Sequence, residues 1–103
     1  MISKTLSLPR LNRLNPTLES TTLKLMEEAG ELARCIGKFR GLSGENVNMS
    51  PDDVMLEVAR ELLDVAQTAV TMMYVMEENY GLDIDQLLQE HIEKLWRKGY
   101  IGQ

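Results

Sequence analysis

A chain of 103 residues with 44% hydrophobic and 26% charged side chains has the composition of one small globular domain, which argues against intrinsic disorder. Its net charge of -5 argues against general nucleic-acid binding, because affinity for a phosphate backbone requires clustered Lys and Arg. The single Cys35 excludes an internal disulfide, and we see no apolar run typical of a signal peptide or a membrane helix. We therefore expect a cytoplasmic protein with no nucleic-acid or membrane partner.

Residues 1–15 are predicted to form an extended or irregular N-terminal arm. The segment is interrupted by Pro9 and, apart from leucine, is poor in helix-forming residues. Its leucines provide enough apolar surface to lie on a neighbouring surface, including that of a second subunit, although a partly ordered tail is an open alternative. The remaining residues, 16–103, are expected to form a single all-α domain.

A first helix is predicted over residues 16–40. Asn15 is a favoured N-cap, and Pro16 suits the first helical position because no amide hydrogen is needed there. Gly41 is expected to end the helix as its C-terminal cap. Side chains at spacings of three and four predict one apolar stripe with a polar border. The stripe contains Leu18, Thr22, Leu25, Ala29, Leu32, Ala33, Ile36 and Phe39, and Lys24, Glu28, Glu31 and Cys35 lie on its border.

A second helix is predicted over residues 51–80, after a largely polar loop at 42–49 that is placed to act as a flap. Ser50 and Pro51 repeat the start signal, and Gly81 ends the helix. Apolar side chains cover more than half of its circumference, whereas a single packing partner needs a stripe of about 100°. We therefore predict that identical chains assemble into a homodimer or homotetramer.

A third helix is predicted over residues 84–98, with Asp83 as its N-cap and Gly99 after its end. No segment has the pattern of a strand. The expected fold class is thus all-α: an antiparallel helical bundle with three main helices per chain, completed by homo-oligomerisation. The end of the third helix carries the most concentrated positive patch in the chain, formed by Lys94, Arg97 and Lys98 and followed by Tyr100.

Two pairs of carboxylates share a spacing of three residues on the first two predicted helices. Glu28 and Glu31 are surface neighbours on the first, and Glu61 and Asp64 on the second. If these helices are antiparallel neighbours, the four carboxylates face one another. Hard oxygen ligands of this kind suit magnesium or manganese. The alternative for each pair alone is a solvated helix face, but their position at the margin of the apolar stripe favours a site.

The segment Leu25–Ala33, followed by Glu61–Val65, resembles the signature of the MazG-type all-α nucleoside triphosphate pyrophosphohydrolases. That signature is a Glu-x-x-Glu and a Glu-x-x-Asp on consecutive helices, and the resemblance spans residues 18–100. It implies catalytic roles for Glu27 and Glu28, with Glu27 as an outer ligand or water-orienting base. It also implies that Mg²⁺, or Mn²⁺ in its place, is held by Glu28, Glu31, Glu61 and Asp64.

The resemblance extends to the basic segment at the C-terminal end. It implies substrate binding there, although Leu95 stands where the family commonly has Asn. The residues concerned are Lys94, Arg97, Lys98 and Tyr100. The implied activity is hydrolysis of a (d)NTP to the (d)NMP and pyrophosphate, in nucleotide-pool house-cleaning. Two alternatives stay open: a non-catalytic helical dimerisation or interaction protein, and an enzyme like the phosphoribosyl-ATP pyrophosphohydrolases.

Overall fold

A computed structural model describes residues 1–41 and 50–103, so the loop and flap predicted at 42–49 lie outside the described residues. Within these two ranges the chain contains three helices and no strand. The helices are α1 (Leu18–Phe39), α2 (Pro51–Tyr80) and α3 (Ile84–Arg97). The predicted all-α class is confirmed, and completion of the bundle by other copies stays a prediction.

The start of α1 differs from the prediction, because Thr17 and not Asn15 is the N-cap. The Thr17 hydroxyl accepts a hydrogen bond from the Ser20 amide at 3.0 Å. In return, the Ser20 hydroxyl accepts one from the Thr17 amide at 2.8 Å. This reciprocal capping box satisfies two backbone donors that would otherwise lack a partner, and it fixes the start of α1 at Leu18.

The caps predicted for α2 and α3 are confirmed. The Ser50 hydroxyl accepts from the Asp53 amide at 3.2 Å, and the Asp83 carboxylate accepts from the Gln86 amide at 3.1 Å. Gly81 ends α2 with a φ of 67°, in the left-handed region that favours glycine. Local signals therefore set where α2 begins and ends.

The first two helices form an antiparallel pair. The Thr22 hydroxyl lies 4.0 Å from the Met72 sulfur, and the Lys38 ammonium lies 3.8 Å from a Glu57 carboxylate oxygen. Later residues of α1 thus meet earlier residues of α2. Buried side chains recur at heptad spacings on both helices, as in helix pairs with coiled-coil packing. They are Thr21, Glu28 and Cys35 of α1 and Val54, Thr68, Thr71 and Val75 of α2.

The packed face of α1 coincides only in part with the stripe predicted from its apolar residues, four of whose eight members are half-buried. Glu28 and Cys35, expected at the border, are buried in the centre of the contact with α2, whereas Thr22, Ala29 and Ile36 are exposed. Hydrophobic periodicity locates apolar side chains, and it cannot tell which of two adjacent faces packs within the chain. The result is a carboxylate at a core position of the helix pair.

The third helix contributes little to this core. It has no buried residue, and Leu87, Leu88 and Trp96 are exposed among its apolar side chains. The main packing between helices in the described ranges is that of α1 with α2. None of the helices described combines the length and apolar character that crossing a bilayer demands.

The N-terminal arm, residues 1–15, has no regular secondary structure and lies against α2. The Gln67 amide donates a hydrogen bond to the Pro9 carbonyl at 2.9 Å. The Arg10 guanidinium forms a two-pronged ion pair with Glu78, in which Nη2 lies 3.0 Å from Oε2. These contacts bring the arm beside the N-terminal end of α1.

Candidate metal centre

Three carboxylates converge where α1 packs against α2. One oxygen each of Glu28, Glu61 and Asp64 lies within 4.8 Å of the others, and we call these residues the carboxylate cluster. The antiparallel packing brings Glu28 opposite Glu61, and the spacing of three residues brings Asp64 to the same side of α2. Glu28 is only 9% exposed, whereas Asp64 is exposed, so the cluster extends from the core to the surface.

The electrostatics of Glu61 indicate that the cluster needs positive charge. Desolvation raises the pKa of Glu61, and the adjacent Glu28 carboxylate raises it further, as do the charges of Asp64 and Glu31. Glu61 Oε2 is buried without a hydrogen-bond partner among the described residues. A buried acceptor with no donor is unfavourable, and so is the crowding of like charges. A cation between the carboxylates would relieve both.

The donor set of the cluster fits a divalent cation. Its ligand atoms are carboxylate oxygens, which suit hard ions such as magnesium and manganese. Magnesium in enzymes is commonly held by one or two carboxylates, with water and substrate phosphates completing its shell. The exposed side at Asp64 leaves room for such further ligands.

The fourth predicted ligand, Glu31, is not among the side chains that converge. Its carboxylate lies 3.3 Å from the Arg34 guanidinium, one turn further along α1. Its negative charge is nevertheless close enough to raise the pKa of Glu61. The role of Glu31 as a ligand therefore stays a prediction.

Lys24 lies at the cluster, although sequence reasoning gave it no function. Its ammonium is 3.0 Å from a Glu28 oxygen and 3.6 Å from a Glu27 oxygen. The hydrogen bond to Glu28 raises the pKa of Lys24, and the charges of Glu27 and Glu28 add to that effect. The spacing of four residues between Lys24 and Glu28 is the sequence signal that could have identified the pair. Glu27, the predicted water-orienting base, is exposed beside it.

Cys35 lies near the cluster on the same face of α1 but is not an activated nucleophile. Its side chain is 4% exposed. Burial raises the pKa of the Cys35 thiol, and the negative charges of Glu57 and Glu61 raise it further. The thiol is therefore held in its protonated, unreactive form.

The predicted substrate-binding residues are not part of this site within one chain. In the described ranges they form no ion pair with the carboxylates, and they do not line the cavity beside the cluster. All four are exposed, and the Lys98 ammonium lies 5.9 Å from the centre of the Tyr100 ring. They are Lys94, Arg97, Lys98 and Tyr100.

A cavity of about 450 Å³ opens beside the carboxylate cluster. Glu28 and Asp64 line it, together with Leu11, Leu14 and Asn15 of the N-terminal arm. Sequence reasoning missed this cavity. The leucines of the arm indicated that the arm lies on a surface but not which surface.

Fold and site together define a small all-helical protein with a candidate divalent-cation centre between two antiparallel helices. The model of the MazG nucleotide pyrophosphohydrolase domain family matches residues 16–99. The chain therefore belongs to that family, which confirms the predicted relationship and points to a hydrolase of the pyrophosphohydrolase type. Comparisons with curated proteins and with solved structures gave no significant match.

Proposed function

We propose that this protein is a Mg²⁺-dependent nucleoside triphosphate pyrophosphohydrolase, with Mn²⁺ able to replace Mg²⁺. The reaction adds water across the bond between the α and β phosphates of a (d)NTP and yields the (d)NMP and pyrophosphate. The observation that carries the proposal is the convergence of Glu28, Glu61 and Asp64, in a chain of the MazG family. The proposed role is house-cleaning of the cytoplasmic nucleotide pool.

Each side chain of the site has a proposed part in this reaction. Glu28, Glu61 and Asp64 hold the cation, and Glu31 joins them by releasing Arg34. When bound, the cation supplies positive charge for the triphosphate and acidifies a water molecule. Glu27, exposed beside Glu28, is proposed to orient the attacking water.

Lys24 is proposed to balance charge on the substrate phosphates. Its ammonium contacts the cluster at Glu28, and the side chain also lines the neighbouring cavity. If Glu28 held a metal ion, the Lys24 ammonium would lose this ion-pair partner and could contact an anionic phosphate.

The basic C-terminal segment is proposed to reach the site of a neighbouring subunit in a homodimer or homotetramer. Two features of the single chain support this proposal. The predicted phosphate partners Lys94, Arg97 and Lys98 are exposed and do not line the cavity beside the cluster. Apolar side chains of α2 and α3 are also exposed, among them Leu62, Leu63 and Leu88. Assembly would bury such apolar surface.

The proposal is tested by incubating the protein with Mg²⁺ and a panel of canonical and modified (d)NTPs. We expect equal amounts of monophosphate and pyrophosphate from at least one substrate, separated by ion-exchange chromatography. Glu61→Gln should abolish turnover and leave helical circular dichroism unchanged, whereas Glu90→Gln, an exposed change on α3, should have no effect. Absence of turnover with every nucleotide at high enzyme concentration would overturn the proposal.

A further inference from the structure

The cavity beside the carboxylate cluster has the N-terminal arm as one of its walls. Leu11 and Leu14 of the arm line the same cavity as the cluster residues Glu28 and Asp64. The volume of about 450 Å³ is within the range of about 300–1,000 Å³ that is typical of small-molecule sites. A ligand whose phosphates are bound at the cluster would therefore extend its remaining part into this space.

The lining of the cavity suits the nucleoside half of a nucleotide. Leucine side chains of the arm give it apolar surface, and the Asn15 amide offers both a donor and an acceptor. The Thr21 and Thr68 hydroxyls donate to backbone carbonyls at 2.7 and 2.9 Å, and each keeps a lone pair free to accept. A sugar and a base match this mixture of apolar and neutral polar groups, whereas phosphates match the cluster.

Two contacts hold the arm against α2. The Gln67 amide holds the Pro9 carbonyl at 2.9 Å, and Glu78 holds the Arg10 guanidinium. A second cavity, of about 300 Å³, also borders the arm and is lined by Leu11, Leu14 and Tyr74, among others. The arm borders open space in both cavities, so these two contacts help to hold it in place.

We infer that the N-terminal arm forms the nucleoside-facing wall of the site, and that Arg10 and Glu78 are positioning residues that set the width of the cavity. This inference rests on the proposed function. It assigns the base and sugar of the substrate to the space between the arm and the carboxylate cluster. The ion pair then determines how tightly a nucleoside triphosphate binds.

Charge reversal tests the inference, because it breaks the ion pair in each single variant and restores it in the double variant. Arg10→Glu and Glu78→Arg should each raise KM for the best nucleotide about tenfold and leave kcat within about twofold, since they remove binding and not chemistry. The double variant should return KM to near the wild-type value. Arg13→Glu is the matched control, because it makes the same charge change in the arm outside the ion pair and the cavity lining.

A substrate fragment that lacks the nucleoside distinguishes an effect on the arm from an effect on the carboxylate cluster. Mg²⁺-tripolyphosphate should inhibit wild type and the three charge-reversal variants equally, because it engages the cluster alone. If Arg10→Glu weakened this inhibition as much as it raised KM, the ion pair would act through the cluster and the inference would be overturned.

Proteolysis supplies a readout that does not depend on turnover. Trypsin can cleave the exposed arm after Arg10 and Arg13. A non-hydrolysable α,β-imido nucleoside triphosphate with Mg²⁺ should slow this cleavage in wild type, whereas tripolyphosphate should not. Wild type that hydrolyses no nucleotide would overturn the proposed function. Wild type that is active, with unchanged KM in both single variants and no nucleotide protection of the arm, would overturn this inference alone.

Discussion

At the scale of single residues, Glu61 is the side chain on which the site depends most directly. It is crowded by Glu28 and Asp64, and one of its oxygens is buried without a partner among the described residues. Glu61→Gln removes one of the like charges, so we expect the metal-free variant to melt no lower than wild type. Millimolar Mg²⁺ should raise the melting temperature of wild type but not that of the variant. Thermal unfolding with and without Mg²⁺ measures both effects.

The control for this experiment is Glu90→Gln on α3, which should keep the full response to Mg²⁺. Wild type that is indifferent to Mg²⁺ would support the alternative of a helical interaction protein. A metal-free Glu61→Gln variant that unfolds would show that the carboxylate is required for the fold.

Lys24 allows a prediction in which two binding constants move in opposite directions. Its ammonium forms an ion pair with the Glu28 carboxylate at 3.0 Å and so competes with a metal ion for that ligand. Lys24→Gln should therefore bind Mg²⁺ more tightly than wild type but raise KM for the nucleotide about tenfold, because a phosphate partner is lost. Isothermal titration and steady-state kinetics measure the two constants. Lys4→Gln, an exposed change in the arm, should alter neither. Unchanged constants in Lys24→Gln would contradict the role assigned to this residue.

The buried Cys35 thiol yields a prediction about pH. Burial and the charges of Glu57 and Glu61 raise its pKa, so the thiolate forms only at a higher pH than in an unfolded chain. Alkylation by iodoacetamide should accordingly be slow in the folded protein. The alkylation rate should increase with pH in both states, but at a higher pH in the folded protein than in protein unfolded by urea. Glu57→Gln should shift that rise back towards lower pH. Equal pH profiles for folded and unfolded protein would contradict the assignment.

At the scale of helices, two residues are candidates for the N-cap of α1. The structure makes Thr17 the N-cap, within a capping box with Ser20, whereas the sequence favoured Asn15. Thr17→Ala should lower the free energy of unfolding by about 1 kcal/mol, the usual loss for a removed N-cap. Asn15→Ala should leave it nearly unchanged. Urea unfolding of both variants decides between the caps, and the reverse order would contradict the structure.

These elements show how far the sequence can predict this fold. Ser50 and Asp83 were identifiable as caps because a cap depends on a few neighbouring residues. The packed face of α1 was only partly identifiable, because its central position is a carboxylate, Glu28, which hydrophobic periodicity places at the border of the apolar stripe. Functional sites are where such local rules are expected to fail.

The candidate site, like the fold, was predictable from the sequence only in part. The spacings within both helices, with antiparallel pairing assumed, predicted that Glu28, Glu31, Glu61 and Asp64 face one another, and all of these except Glu31 converge. The arm beside them was not predictable as part of the site. Its position depends on the pairing of Arg10 with Glu78, which are 68 residues apart in sequence. No local pattern encodes such a contact.

At the scale of the whole molecule, exposed apolar side chains of α2 argue for assembly with further copies of the chain. Met55, Leu62, Leu63 and Met73 are between 42% and 54% exposed, although helix α2 already packs on α1. We predict a homodimer or homotetramer in light scattering coupled to size exclusion. Met73→Glu should shift the equilibrium towards monomer, because it would bury an unpaired charge at the contact.

The same variant links assembly to activity. If Lys94, Arg97 and Lys98 act across a subunit contact, dissociation should remove turnover and leave Mg²⁺ binding intact, since the carboxylate cluster is complete within one chain. Gln89→Glu adds an equal charge on exposed α3 and should change neither assembly nor turnover. A wild-type protein that is monomeric and fully active at micromolar concentration would rule out the shared site. The phosphates would then be bound by Lys24 and the metal within a single subunit.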